Sequence, residues 1–564
     1  MSAPAVTTTS RPPLTASGQS VIVYRPDPLT EAHRVARAIA MAANPQLKAI
    51  VSASTKKYGR PRKVSIECLT RILFLHAMTD TEKMTLRAIE RTVVALSPKA
   101  RRQLGIPEWW FCSPEERGRL YKRIRDTFTA LVEATRQGIH VSHDHAMRVN
   151  GDTGEVDPCP PGCPAVDMTP DEIATAIVQA SLPRTLRRTR GIAIDGTDFE
   201  SFATSYSHGY RGPEGQVCAD PDAGWGKRTP TSRRPTEHYV GYELHLAAHN
   251  PRPGQAPIPT LCAGMVLRPG VTDRGPAALA LTRAIQSFCE IDEALFDRGY
   301  TTAKPENFAR PLRQLGIDVT MDLHTSQRGV RPGPAPGTIW LDGHLYSDAI
   351  PDALRDIRPP APYARAGDKA RIREDFDARE PYRFIAHSRH DANRGTQRLK
   401  GPAVAGHVRC PNSPASMRRG PEIPTTRCVP GQPCGCAATI TVADTDHERD
   451  RQRLPWQSTA WALSYNRRTL VEGLNAQLRF LDADINHGFI QVLGRQATTL
   501  LLAFAIAGHN AIQIHKWFSA RALPEPWQIE LGEKPDDRPV GRGTRSRTNK
   551  HRAPPGKNFR HATS

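Results

Sequence analysis

Three carboxylates stand where short apolar runs stop or a helix turns. Asp195 ends the apolar part of GIAIDGTDF, Asp297 ends that of EALFDRGY, and Glu472 lies within SYNRRTLVEGLNAQLRF. If two strand ends and an overlying helix bring these acids together, they repel one another unless cations neutralise them. Oxygen-only donors select hard divalent ions, Mg2+ or Mn2+. Two such ions would activate a water or a 3′-hydroxyl and stabilise the leaving oxygen of an in-line displacement at phosphorus. Asp198 is the rival for the first position; Asp195 ranks ahead because it directly ends the apolar run. Asp292 and Glu293 read as turn residues ahead of the second run.

The segment around Glu472 carries a second pattern. On a regular helix, Tyr465, Arg468, Glu472 and Arg479 share a strip about 60° wide. Leu470, Leu474 and Leu478 fall on the opposite, apolar side. A phenol and two guanidiniums beside a carboxylate suit phosphate oxygens. The plainer alternative is a solvated face with one Arg468–Glu472 ion pair at i, i+4 spacing.

Composition narrows the partner. Lys and Arg total 77 against 57 Asp and Glu among 564 residues, a formal charge of +20. Such a surplus favours a polyanion, nucleic acid before an anionic membrane. The N-terminus has no signal-peptide core. The most apolar run, Leu500–Gly508, is about half the ~20 residues that span a bilayer. A cytoplasmic protein with no membrane partner is expected.

The elements that must position these residues follow from periodicity. Residues 1–27 read as a disordered tail. Residues 28–136 read as a helical, DNA-binding unit, with Ser113 and Glu116 forming a capping box and the basic KKYGRPRK, including Arg60, as an arm for phosphates or a groove. Residues 137–190 read as a linker holding one short helix capped at Thr169. From 191 to 322 the pattern is β-β-β-α-β-α-β, an α/β sheet whose first strands are antiparallel. Residues 323–455 read as a β- and loop-rich insertion. Residues 456–529 return to helix and complete the α/β unit; 530–564 form a basic, disordered tail.

Smaller features remain. Trp225 and Lys227 fall in a loop between the first two strands, where they could contact DNA by stacking and charge or be ordinary surface. His245, in an alternating strand, reads as structural. The insertion holds Cys410, Cys428, Cys434 and Cys436 in a C-x17-C-x5-C-x-C arrangement, with His407 as a substitute ligand. Four thiolates could bind a structural Zn2+ or remain unliganded. Cys159 and Cys163 have ligand-like spacing but no evident partner nearby. An odd total of 11 cysteines, several in apolar runs, reads as reduced thiols rather than a disulfide framework.

The segments IAIDGTDF, LFDRGY and YNRRTLVEGLNAQLR together resemble the three catalytic regions of insertion-sequence DDE transposases, more narrowly the group with the signature Y-x2-R-x3-E-x6-K. Tyr465, Arg468 and Glu472 fill the first three positions; Arg479 stands where Lys is usual. It keeps the charge but not the ammonium geometry. The resemblance covers about residues 190–322 and 455–517, with a looser likeness of YGRPRK and the following helix to N-terminal regions of such proteins. It implies a ribonuclease-H-like catalytic core interrupted by the insertion. It also implies Asp195, Asp297 and Glu472 as ligands of Mg2+ or Mn2+, and cleavage and joining of DNA at the ends of a mobile element. Pairing two ends would call for a homodimer. The alternatives are a nuclease of the same fold that does not join ends, and a non-catalytic DNA-binding descendant.

Overall fold

The structure is a computed structural model. It describes residues 28–533 apart from 57–61, 80–82, 150, 152–155, 157, 188–189, 207–211, 213–214, 229–236, 271, 392 and 522. Arg60, the N-terminal tail and all but the first residues of the basic tail lie outside the described residues.

The chain is mixed α/β, as its periodicity implied. Six strands form the central sheet: β1 (Gly191–Glu200), β2 (Gly224–Arg228), β3 (Glu237–His249), β4 (Cys262–Pro269), β5 (Glu293–Phe296) and β6 (Asp318–Met321). The long β3 is antiparallel to β1 on one side and to both β2 and β4 on the other. β5 is parallel to β1, and β6 parallel to β5. Trp225 and Lys227 therefore sit on edge strand β2 rather than in a loop, and both are exposed.

Five helices matter for the site: α1 (Pro170–Ala180), α2 (Arg274–Gln286), α3 (Thr459–Tyr465), α4 (Thr469–Ala476) and α5 (Arg495–Ala520). Side chains alternate across each strand. Ile192, Ile194, Ala294 and Phe296 pack toward α2, with Ala277, Leu281 and Ile285. Ala193, Leu244, Leu246 and Leu295 belong to the opposite core, with Ile173 of α1, Leu474 of α4 and Leu501 of α5.

Residues 137–190 do more than link. Thr169 and Glu172 form a reciprocal capping box, and the helix they start, α1, is buried from Ile173 to its last residue. Polar partners tie it down: Gln179 donates to the Ala263 carbonyl of β4 at 2.6 Å, and Asn510 of α5 donates to Ser181 at 3.0 Å.

Helix α5 runs for 26 residues and is long and apolar enough to cross a bilayer, but 89% of its apolar window is buried inside the fold. It also meets the N-terminal helices. A Cβ at Gly508 would lie 2.3 Å from the Ala77 carbonyl oxygen, so glycine is what lets the two helix backbones touch. Phe74 and Phe504 pack edge to face nearby at 4.8 Å. The buried Arg37–Glu525 ion pair at 2.8 Å joins the first helix to the C-terminal segment. The N-terminal helices thus share the core of the sheet's α5 side.

The insertion holds two small antiparallel sheets, each of three strands, and a helix at Ala366–Asp377. Its Cys410 and Cys436 belong to a separate small core.

Candidate active site

Parallel pairing of β1 with β5 aligns Ile194 with Phe296. The next residue is an aspartate on each chain segment, Asp195 within β1 and Asp297 just past β5 in extended backbone, and continued alternation turns both to the face covered by α4. Each stays half-buried. Burial pushes the Asp195 carboxyl up to about 6, and the charge of Asp297 pushes the same way against Arg468. Asp297 also accepts from the Arg298 backbone N–H at 2.6 Å, which fixes it at the start of a short 3-10 turn.

Asp198 is placed differently. Arg479 donates to it at 2.7 and 3.2 Å, and Arg228 at 2.6 and 2.9 Å. Burial alone would raise its pKa, but these two guanidiniums outweigh that and hold it below the ordinary carboxylate value. Asp198 is thereby neutralised, whereas Asp195 makes no salt bridge among the described residues.

The helix expected over 464–480 is broken into pieces. α3 passes through a 3-10 turn at Asn466–Arg468 into α4, which ends in a π turn at Gln477–Leu481. The first three residues of the strip remain together. Arg468 lies over the Tyr465 ring, 5.6 Å from its centroid, and pairs with Glu472. Tyr465 stacks on Trp461 at 4.6 Å, and burial pushes its phenol up to about 12. Arg479 lies within the π turn, where wider turns depart from the 100° step. Arg479, expected as a phosphate ligand, donates to Asp198 and to Thr197 Oγ1 at 2.9 Å.

Glu472 is exposed and engaged by Arg468. One turn further on the same helix face, Asn475 donates to Asp195 Oδ2 at 3.0 Å. The helix bearing Glu472 is therefore docked on the first aspartate through an amide. Among the described residues, the side-chain groups whose ligand atoms converge within 4.8 Å do not include this acidic trio.

Two residues that the spacing did not single out do the docking. Asn475 is one. Arg467 is the other: it donates to the buried Glu293 at 2.7 Å, and Ser464 joins the same oxygen at 3.0 Å. Glu293 is a buried member of β5, not a turn residue, and it anchors α3 to the sheet. A polar residue i+3 from a candidate ligand was the only available sign for Asn475. His245 is structural, as expected: it bonds Tyr300 Oη at 2.9 Å, and burial lowers its pKa to about 3.

The four thiols of the insertion converge. Cys410–Cys434 and Cys428–Cys436 are each 3.7 Å apart, and all four sulfurs lie within 4.8 Å of one another. A tetrahedral ion at about 2.3 Å from each sulfur sets S···S edges near 3.8 Å.

No protein-family model, no curated protein and no solved structure matches this chain.

Proposed function

We propose that the protein is a DNA transposase of the DDE class, which binds the ends of its own mobile element, cleaves there and joins 3′-hydroxyls to target DNA. The observation that carries this reading is the side-by-side placement of Asp195, within β1, and Asp297, just past the parallel β5, under a helix that presents Glu472 and is docked on Asp195 by Asn475. The strand order β4-β3-β1-β5-β6, antiparallel then parallel about β1, is compatible with a ribonuclease-H-like core and supports this reading. A formal charge of +20 suits a DNA partner.

The donor set fits hard divalent ions. It offers oxygens alone, and a carboxyl raised to about 6 beside a second carboxylate is a pair that a cation would relieve. Asp195, Asp297 and Glu472 would hold Mg2+ or Mn2+, which when bound supply activation of the attacking oxygen and charge stabilisation at the leaving one. Arg468, paired with Glu472, would hold a scissile phosphate beside the acids. Tyr465, Arg468 and the exposed Lys227 with Trp225 on the sheet edge would hold DNA backbone and bases. The four thiolates of the insertion would hold a structural Zn2+.

A strand-transfer assay tests the reading. Purified protein, Mg2+ and a duplex carrying the DNA on either side of the gene should yield joined products that EDTA abolishes. Hydrolysis without joining would favour a nuclease. Neither cleavage nor joining, with binding intact, would favour a non-catalytic DNA-binding protein.

A further inference from the structure

Between the strand Ile139–Val141 and its antiparallel partner Val166–Met168 the chain makes a long excursion. No described residue from 142 to 165 is buried. Its two ends are held by the main core, where Ile139, Val141, Val166 and Met168 pack, but the described residues between them have no apolar core of their own. Yet four ligand-type side chains from its two arms meet: His143, His145, Cys159 and Cys163 place one donor atom each within 4.8 Å of all the others.

We propose that these four residues form a second zinc site, a two-histidine, two-thiolate clip distinct from the four-thiolate cluster of the insertion. His143 Nδ1 lies 3.4 Å from both the Cys159 and the Cys163 sulfur. A tetrahedral ion at ordinary Zn–N and Zn–S distances sets N···S edges of about 3.5 Å. The ring nitrogen left over on His145 points the same way. Its Nδ1 donates to the Ala146 carbonyl at 3.1 Å, which leaves Nε2 with the lone pair a metal needs. That Nε2 is shielded from solvent beside the Cys163 thiol and makes no hydrogen bond of normal geometry.

The backbone is shaped to the purpose. Cys159 and Cys163 bracket Pro160, Pro161 and Gly162, and the Cys163 N–H closes the turn on the Pro160 carbonyl at 3.2 Å. Gly162 takes φ of +90°, which brings the second sulfur back beside the first. The neighbouring pair Val166–Met168 runs straight into Thr169, the cap of buried helix α1. The clip would therefore fix where the helical N-terminal part hands over to the sheet. It stands whether or not the acidic site cleaves DNA.

The test uses full-length protein loaded with Zn2+ and freed of excess. Cys159 is exposed and Cys163 half-exposed, so as free thiols both would alkylate readily. With zinc bound, peptide mass mapping should find both protected from N-ethylmaleimide, and both labelled after a strong chelator. Elemental analysis should show the Cys159→Ser/Cys163→Ser variant losing one zinc equivalent per chain relative to wild type, whatever the count in a Cys428→Ser/Cys434→Ser variant. Full labelling of Cys159 and Cys163 in zinc-loaded wild type overturns the site. So does an unchanged zinc count in the first variant, or a Cys159–Cys163 disulfide mass.

Discussion

The side-chain amide of Asn475 donates a 3.0 Å hydrogen bond to Asp195 Oδ2, across 280 residues of sequence. It fixes one carboxylate oxygen and seats the helix that carries Glu472. Asn475→Leu keeps the branched shape and removes the donor. DNA cleavage should fall about 10–100-fold, the usual cost of losing a hydrogen bond that orients a metal ligand. DNA affinity should stay within about twofold. Wild-type cleavage in this variant would leave the contact as packing only.

Replacing Asp195 or Asp297 by Asn, or Glu472 by Gln, preserves shape and removes one charge. If each binds a divalent ion worth several kcal/mol to the transition state, single-turnover cleavage should drop by about 10²-fold or more. A mobility-shift assay should show DNA binding largely intact. Cleavage by Glu472→Gln at the wild-type rate would remove Glu472 from the site.

Arg479 separates a structural from a DNA-binding role. Its two bonds to Asp198 are backed by those of Arg228, so Arg479→Ala should cost about 1–3 kcal/mol of stability. The salt dependence of DNA affinity should not change. A reduction of the log–log slope by about one would mean that Arg479 neutralises a phosphate after all.

Acid should weaken the fold through buried imidazoles. Both ring nitrogens of His249 are shielded and unpartnered, and burial lowers its pKa to about 4. The unfolded chain takes up that proton near pH 6.5, the folded one only near 4. Stability from this group is therefore complete above pH 6.5 and is lost as pH falls toward 4, by at most about 1.4 kcal/mol per unit. Urea unfolding at pH 7 and pH 5 should show a gap smaller by up to about 2 kcal/mol in His249→Leu than in wild type. Equal gaps would mean that His249 is protonated in the native state.

The sulfur cluster of the insertion should matter locally. Removing metal with a chelator, or Cys428→Ser/Cys434→Ser, should open residues 323–455 to limited proteolysis. The buried helix α5 should stay protected in the same digest. Identical digestion patterns with and without metal would mean that the small core around Cys410 and Cys436 holds without an ion.

What could be read along the chain was local. Asp195 and Asp297 each follow a run of buried apolar residues, a pattern of consecutive positions, although β1 continues past Asp195 to Glu200. Thr169 caps its helix because its hydroxyl reaches the Glu172 N–H, a contact confined to one turn. The alternation that separates the two faces of β1 and β5 is likewise a property of consecutive residues, as is the excess of positive charge. Partner choice was not local. The wheel that aligned Arg479 with Glu472 assumed even turns; a 3-10 turn at Asn466–Arg468 and a π turn at Gln477–Leu481 interrupt them, and the pairing of Arg479 with Asp198 joins segments far apart in the chain. Residues 137–190 looked like a linker because the surfaces that bury α1 come from β4 and α5, far along the chain. Asn475 with Asp195, Arg467 with Glu293, and His143 and His145 with Cys159 and Cys163 are contacts between segments. Their energies exist only once the sheet has set where those segments meet.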